Sequence, residues 1–283
     1  MKDTEGSPRG GAPRGGAGAK PPNTEDERRS FEKKYGGSPL ERWAFHDTPD
    51  PLVRYLRDRR LKIGLDRAIE LVGRPASELR ALVVCGGVGG EGTYLRKYGF
   101  RSVTVSDFSL GALEVCRKRD PALGLCVLNG EALGLKNECY DVVLVQDGLH
   151  HLPRPALGYT EMLRVAKSAV IVIEPHLGLA GRFLGREWED HDGSVNYVFR
   201  WDRWMVIQLT RSYFVQRPLH IEPIRVWDHN EVMGKFARKL GGGKLGLLWV
   251  KAAYFFMNLL FWWLGNMMIA VVVKPPAKEA APP

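Results

Sequence analysis

The chain has 283 residues, 45% of them hydrophobic, enough for one large domain or two small ones and too apolar for a disordered protein. Its formal charge of +9 comes from 41 basic against 32 acidic residues spread along the sequence. No recognised nucleic-acid module accompanies them, so a solvated basic surface is expected and a nucleic-acid partner is not. Cys85, Cys116, Cys126 and Cys139 show no C-x-x-C and no cysteine–histidine ligand spacing, which argues against a disulfide scaffold or zinc site and for reduced thiols in a cytoplasmic protein.

Residues 1–30 are rich in Gly, Pro, Arg and Lys, nearly without aliphatic side chains, and read as a disordered tail; they lack the apolar run of a signal peptide. Residues 276–283 read as a second tail. Between Asp50 and Gly73, Leu52, Leu56, Ile63, Ile69 and Val72 recur at helical intervals among charged residues, which predicts amphipathic helix with a break near Gly64. A short apolar strand over 81–85 then runs into Gly86, Gly87, Gly89, Gly90 and Gly92, a helical segment, and a second strand over 102–106 that ends in Asp107. Glycines there let backbone amides approach a ligand, and a carboxylate at the tip of the next strand can accept both hydroxyls of a ribose. Gly87, Gly89 and Gly92 spell G-x-G-x-x-G, so an NAD(P)-dependent oxidoreductase has to be weighed. No Tyr-x-x-x-Lys pair occurs in the sequence, which removes its commonest short-chain form.

Ser109 is placed to cap a helix over 110–119, which Pro121 stops. Further on come Asn129-Gly-Glu131 behind a third apolar strand, the run from Asp141 through Gln146 and Asp147 to His150-His151, and a strand over 169–174. Apolar strands alternating with helices imply a parallel sheet covered on both faces, with its ligand site at the carboxyl ends of the strands. In order and spacing these motifs resemble the class I S-adenosylmethionine (SAM) dependent methyltransferases, nearest to the type 11-like group that contains the quinone-biosynthesis C-methyltransferases.

The resemblance implies an α/β fold, a Rossmann-like doubly wound sheet, mostly parallel with an antiparallel last strand, plus a helical and aromatic cap. It divides the chain into helices covering the cofactor (31–80), the SAM-binding core (81–175), an acceptor-side cap (176–243) and an apolar helix with the final strand (244–275). Carried over residue by residue, it implies cofactor contacts from Cys85, Gly86, Gly87, Gly89, Glu91, Asp107, Phe108, Asn129, Gly130, Glu131 and Gln146. Three positions depart from the family. Val83 stands where an acid usually binds the methionine amino group, a role that Glu91 or a backbone carbonyl could take over. Cys85 replaces the first glycine, and Asn129 replaces the aspartate that reads adenine. A catalytically idle SAM-binding or membrane-associated scaffold would also account for these losses.

Methyl transfer needs alignment and, for some acceptors, a base. His151 and His150 follow the fourth strand beside the expected methyl position and are the base candidates; either could instead only bond the following turn. His176 and Tyr197 rank behind them. Asp190-His-Asp192 is not read as a metal site, because adjacent loop residues rarely point the same way, and no metal is expected. The aromatics Trp188, Tyr197, Phe199, Trp201 and Trp204 either wall an acceptor site or form the core of the cap. The acceptor itself is open: a small molecule, a saccharide, or a lipid-linked, quinone-like compound.

The last feature is the apolar run over 245–273, interrupted only by Lys251, Asn258 and Asn266 among strongly polar side chains. Lys251 and the Gly265-Asn266 break argue against a membrane span. We expect a helix between Leu247 and Leu264, then the final antiparallel strand. Lys251, Tyr254 and Asn258 form one polar stripe opposite Leu248, Phe256, Leu260 and Trp263. With Lys235, Arg238, Lys239 and Lys244 upstream, this suits a helix lying in an anionic membrane interface; a homodimer contact or a core helix is the competing expectation.

Overall fold

A computed structural model describes residues 24–35, 39–40, 46–185, 187–191, 194–215 and 219–275. Helices α1 (Thr24–Tyr35) and α2 (Pro51–Val72) precede strand β1 (Arg80–Val83). There follow α3 (Gly90–Tyr98), β2 (Ser102–Asp107), α4 (Leu110–Arg119), β3 (Gly124–Val127), β4 (Tyr140–Gln146), α5 (Pro155–Val165) and β5 (Ala166–Pro175). Beyond β5 come α6 (Leu179–Leu184), a hairpin of β6 (Trp188–His191) and β7 (Ser194–Tyr197), then α7 (Arg203–Tyr213) and β8 (His220–Val226). The chain closes with α8 (Asn230–Lys239), α9 (Gly243–Leu260) and β9 (Met267–Val273).

The main sheet has seven strands in the order β3-β2-β1-β4-β5-β9-β8. Pairing is parallel from β3 through β5, and β9 is antiparallel to both of its neighbours. Strand periodicity sorts the core into two layers. Val83, Leu144, Ile171 and Ile269 face a layer with Leu61, Leu65 and Leu95, while Leu82, Val143, Val170 and Met268 face one with Tyr159, Met162 and Trp201. Burying each such aliphatic side chain contributes about 1.5–3 kcal/mol, which makes these two layers the main source of stability for the sheet that carries the site.

Asp50 and Ser109 cap α2 and α4, each accepting hydrogen bonds from amides of the first turn. Three expectations need correction. Residues 24–30, read as tail, belong to α1; residues 1–23 and 276–283 lie outside the described residues. Helix α2 does not break at Gly64: a Cβ there would sit 3.0 Å from Ile171 and 3.1 Å from Ile269, so the glycine is where the helix presses on the sheet. The segment 176–243, expected as a cap, supplies β8, an edge strand of the main sheet whose mixed burial hid its periodicity.

Helix α9 begins a turn earlier than expected and gives way to a single 3-10 turn, Trp262–Leu264. Of its polar stripe, Tyr254 and Asn258 face inward while Lys251 is exposed. Tyr254 Oη accepts from His229 N, Asn258 Oδ1 accepts from Trp227 N, and Lys251 Nζ lies 5.4 Å from the Tyr55 ring. Val250 and Tyr254 pack on Leu52 and Leu56 of α2 and on Ala237 of α8. Leu248, Trp249, Phe255, Phe256, Leu259, Leu260, Phe261, Trp262 and Trp263 are exposed, which removes the core-helix alternative. Among the described residues no helix is long and apolar enough to cross a membrane.

Candidate cofactor and acceptor site

The turn between β1 and α3 has to reverse direction within a few residues, and Cys85 and Gly87 both adopt left-handed backbone (φ 53° and 49°) to do so. Gly89 is required for a second reason, since a Cβ there would lie 2.2 Å from Cys116 Sγ of α4. This turn is tied to Asp107 at the end of β2, whose Oδ2 accepts from Gly87 N and Oδ1 from Ser109 N, each at 2.9 Å. Burial lifts the Asp107 carboxyl to about 6, although backbone amides, led by Ser109 and Gly87, pull the other way.

Asp107 faces a cavity of about 110 Å³ at the carboxyl ends of the strands. Cys85, Gly87, Phe108, Asn129, Gly130 and His151, all expected at the site, line it with Asp107. Asn129 Oδ1 accepts from Glu131 N and so shapes the turn as well as facing the cavity. Phe31 and Tyr35 of α1 lie across the mouth; Phe31 packs at 5.4 Å from Phe108 and 5.8 Å from His151. Glu32 of the same helix accepts from Leu110 N and Gly111 N, capping α4 and holding α1 over the opening.

Gly86, Gly89, Glu91, Glu131, Gln146 and His150 do not line the cavity. Gly86 lies behind the turn, its amide donating to Ser106 O. The first turn of α3 carries Glu91 away from the cavity to meet Gln146 Nε2 at 3.3 Å, and burial lifts its carboxyl to about 7. Glu131 accepts from Arg154 N, Nε and Nη2, so it anchors the start of α5.

Sequence reasoning missed two acids. Asp147, in left-handed backbone after β4, lines the cavity and accepts a bidentate pair from buried Arg60 of α2 at 3.0 and 2.6 Å. Glu174, near the end of β5 and 0% exposed, accepts from Gly148 N, Leu149 N and His150 Nδ1 at 2.6–2.8 Å. Burial opposes charge on His150, yet the Glu174 carboxylate, with Glu189 and Asp147, pushes its imidazolium up to about 10. His150 is thus a protonated, buried partner that fixes the turn, while the neighbouring ring, His151, reaches the cavity with Nδ1 4.0 Å from Glu189 Oε2. The ligating atoms of His150, His151 and Glu189 lie within 4.8 Å of one another. The side chains of Asp190, His191 and Asp192 lie outside the described residues.

A parallel sheet with a glycine turn and acidic strand tip at its carboxyl end, and with an antiparallel strand inserted beside β5, is the Rossmann-like fold of class I methyltransferases. Residues 82–173, from β1 into β5, match the family model described as a methyltransferase domain. Among solved structures the chain is similar to a protein of Pyrococcus horikoshii, at 16% identity and TM-score 0.52 over 89% of this chain and 100% of that one. It is also similar to the magnesium protoporphyrin IX methyltransferase of Synechocystis, solved with bound S-adenosylhomocysteine, at 12% identity and TM-score 0.52 over 89% and 100%. At these identities the likeness concerns the fold. No curated protein matches the sequence.

Proposed function

We propose that the protein is a SAM-dependent methyltransferase acting on an amphiphilic, lipid-borne acceptor. The observation that carries this is Asp107: a carboxylate fixed by two backbone amides at the tip of β2, facing a cavity that also presents Phe108, Asn129 and Gly130. That donor set fits a nucleoside. Asp107 suits the ribose diol, the Asn129 amide the adenine edge, and Phe108 the flat face of the base. Asp147, rather than Glu91, is the acid placed to hold an ammonium, because it lines the cavity and Glu91 does not. SAM supplies an activated sulfonium methyl, so the chain itself has to align the acceptor and take up any proton released. His151 is the group positioned for that proton, with Glu189 beside it. His150, charged and bonded to Glu174, positions rather than accepts.

The outward apolar face of α9 supports the lipid-borne acceptor. Three of its exposed side chains are tryptophans, and exposed Arg238, Lys239 and Lys244 flank it, with Lys235 paired to Glu231. Aromatic residues with a basic rim match an interface of anionic lipid headgroups.

Calorimetry on Asp107→Ala tests the cofactor assignment. Loss of a charge-assisted bidentate contact is expected to weaken SAM binding roughly 30- to 150-fold, about 2–3 kcal/mol. Unchanged SAM affinity in a folded variant refutes it, and tight NAD(P) binding with no SAM binding would favour the oxidoreductase.

A further inference from the structure

A second cavity, of about 860 Å³ and larger than the first, falls within the ~300–1,000 Å³ range of small-molecule sites. His176 stands at its wall, two residues beyond the Glu174 that holds the turn carrying His151, so the end of β5 links the two sites through Glu174. Four arginines line it: Arg182 of α6, Arg200, Arg203 at the start of α7, and Arg225 of β8. The acids there are Glu187 and Asp202, and Asp202 Oδ1 already accepts from Trp204 N and Met205 N as the cap of α7. The wall therefore carries an excess of two positive charges. Arg203 lies 4.8 Å over the Trp204 ring and Arg225 Nη1 donates to Trp263 O. A guanidinium has five N–H donors, so these contacts leave donors for a ligand.

His176 supplies an independent sign of a ligand. Its side chain is 2% exposed and lines the cavity, yet neither ring nitrogen has a hydrogen-bond partner among the described residues. Its backbone is held by His176 N, which donates to Asn266 O. Burial, with Arg225 nearby, lowers the ring to about 4, leaving it neutral with one donor and one acceptor nitrogen. Buried polar atoms left without a partner are costly, so a ligand that bonds them is favoured.

We propose that this cavity binds a phosphate or diphosphate group carried by the methyl acceptor. Guanidinium forks match phosphate oxygens, and His176 can donate to one of them. Trp263 belongs both to this wall and to the exposed face that continues from α9, so an acceptor seated by its phosphate has an apolar surface beside it for a lipid tail. The word acceptor rests on the methyl-transfer reading; the anion site does not.

The test uses the full chain with two probes: inorganic pyrophosphate in solution, and phosphatidylcholine vesicles with and without phosphatidic acid. Arg182 and Arg203 are exposed, so the double variant Arg182→Gln, Arg203→Gln is expected to fold; His176→Phe keeps the bulk and removes both nitrogens. SAM affinity is measured on every sample. Pyrophosphate is expected to bind wild type, and roughly 10- to 100-fold more weakly the double variant, with SAM affinity unchanged. Arginine-dependent binding of phosphatidic acid vesicles alone also supports the site and assigns the phosphate to a lipid headgroup. Absence of binding by both probes, or binding that the arginine variant leaves unchanged, overturns it. If pyrophosphate binds and SAM does not, the anion site stands and the methyl-transfer reading falls.

Discussion

Glu91 shows how the surroundings of a single residue set a property of the whole protein. Burial raises its carboxyl from 4.5 to about 7, Asp147 adding to the effect and Arg60 and Arg119 opposing it. The folded protein then keeps a proton that the unfolded chain has released. The contribution of Glu91 to stability is therefore full below pH 4.5, falls as pH rises toward 7, and levels off above it. At ~1.4 kcal/mol per unit the loss is about 3 kcal/mol. Glu91→Gln keeps the contact with Gln146 and should flatten this component: between about pH 5 and about pH 8, urea midpoints of wild type should drop relative to those of the variant. Parallel profiles would show that Glu91 is not the group responsible. The place of Asp107 at the cavity was legible in the sequence because it follows from its position at a strand tip. Asp147 and Glu174 were not, because their partners Arg60, Gly148 and His150 come from other elements, and nothing local marks a carboxylate that will accept backbone amides.

Among elements, the 3-10 turn Leu149–His151 carries the proposed base. Glu174 gathers its first two residues and Gly148, which leaves His151 as the ring directed to the cavity. His151→Ala should lower turnover roughly 10²- to 10⁴-fold while SAM affinity, read by calorimetry, stays within a small factor. An equal loss of both would make His151 structural. The motif after β4 was recognisable, but the different surroundings of its two histidines were not, since adjacent rings diverge according to what each packs against. Helices α2, α4 and the strands from β1 to β5 were legible from periodicity and caps. Strand β8 was not, because it lies at the sheet edge with its side chains partly exposed and includes Pro223, so it lacks a clean alternation.

At the scale of the molecule, Tyr254 and Asn258 of α9 are turned inward and its apolar face outward, the reverse of a helix that serves a soluble core. Flotation with phosphatidylcholine vesicles should show weak binding that strengthens when anionic lipid is added and falls as salt rises. Phe255→Ser with Trp262→Ser should abolish it without loss of fold, since both side chains are exposed. A wild-type protein that stays unbound at low salt while forming a stable dimer would assign the face to a second copy instead. The amphipathic character of this segment was plain in the sequence; which side meets the protein became clear only from the hydrogen bonds to Trp227 and His229.

The placing of β9 between β5 and β8 also dictates an order of assembly. In the main sheet β8 pairs only with β9, and β9 lies about 40 residues further along the chain. At about 5–20 residues per second, synthesis leaves β8 unpaired for roughly 2–8 s and the edge of β5, about 90 residues before β9, for roughly 5–18 s, while the outward face of α9 emerges after β8. The half of the sheet that ends at β5 can form early, but the edge beside the arginine-lined cavity is completed last, by the strand that arrives after every other.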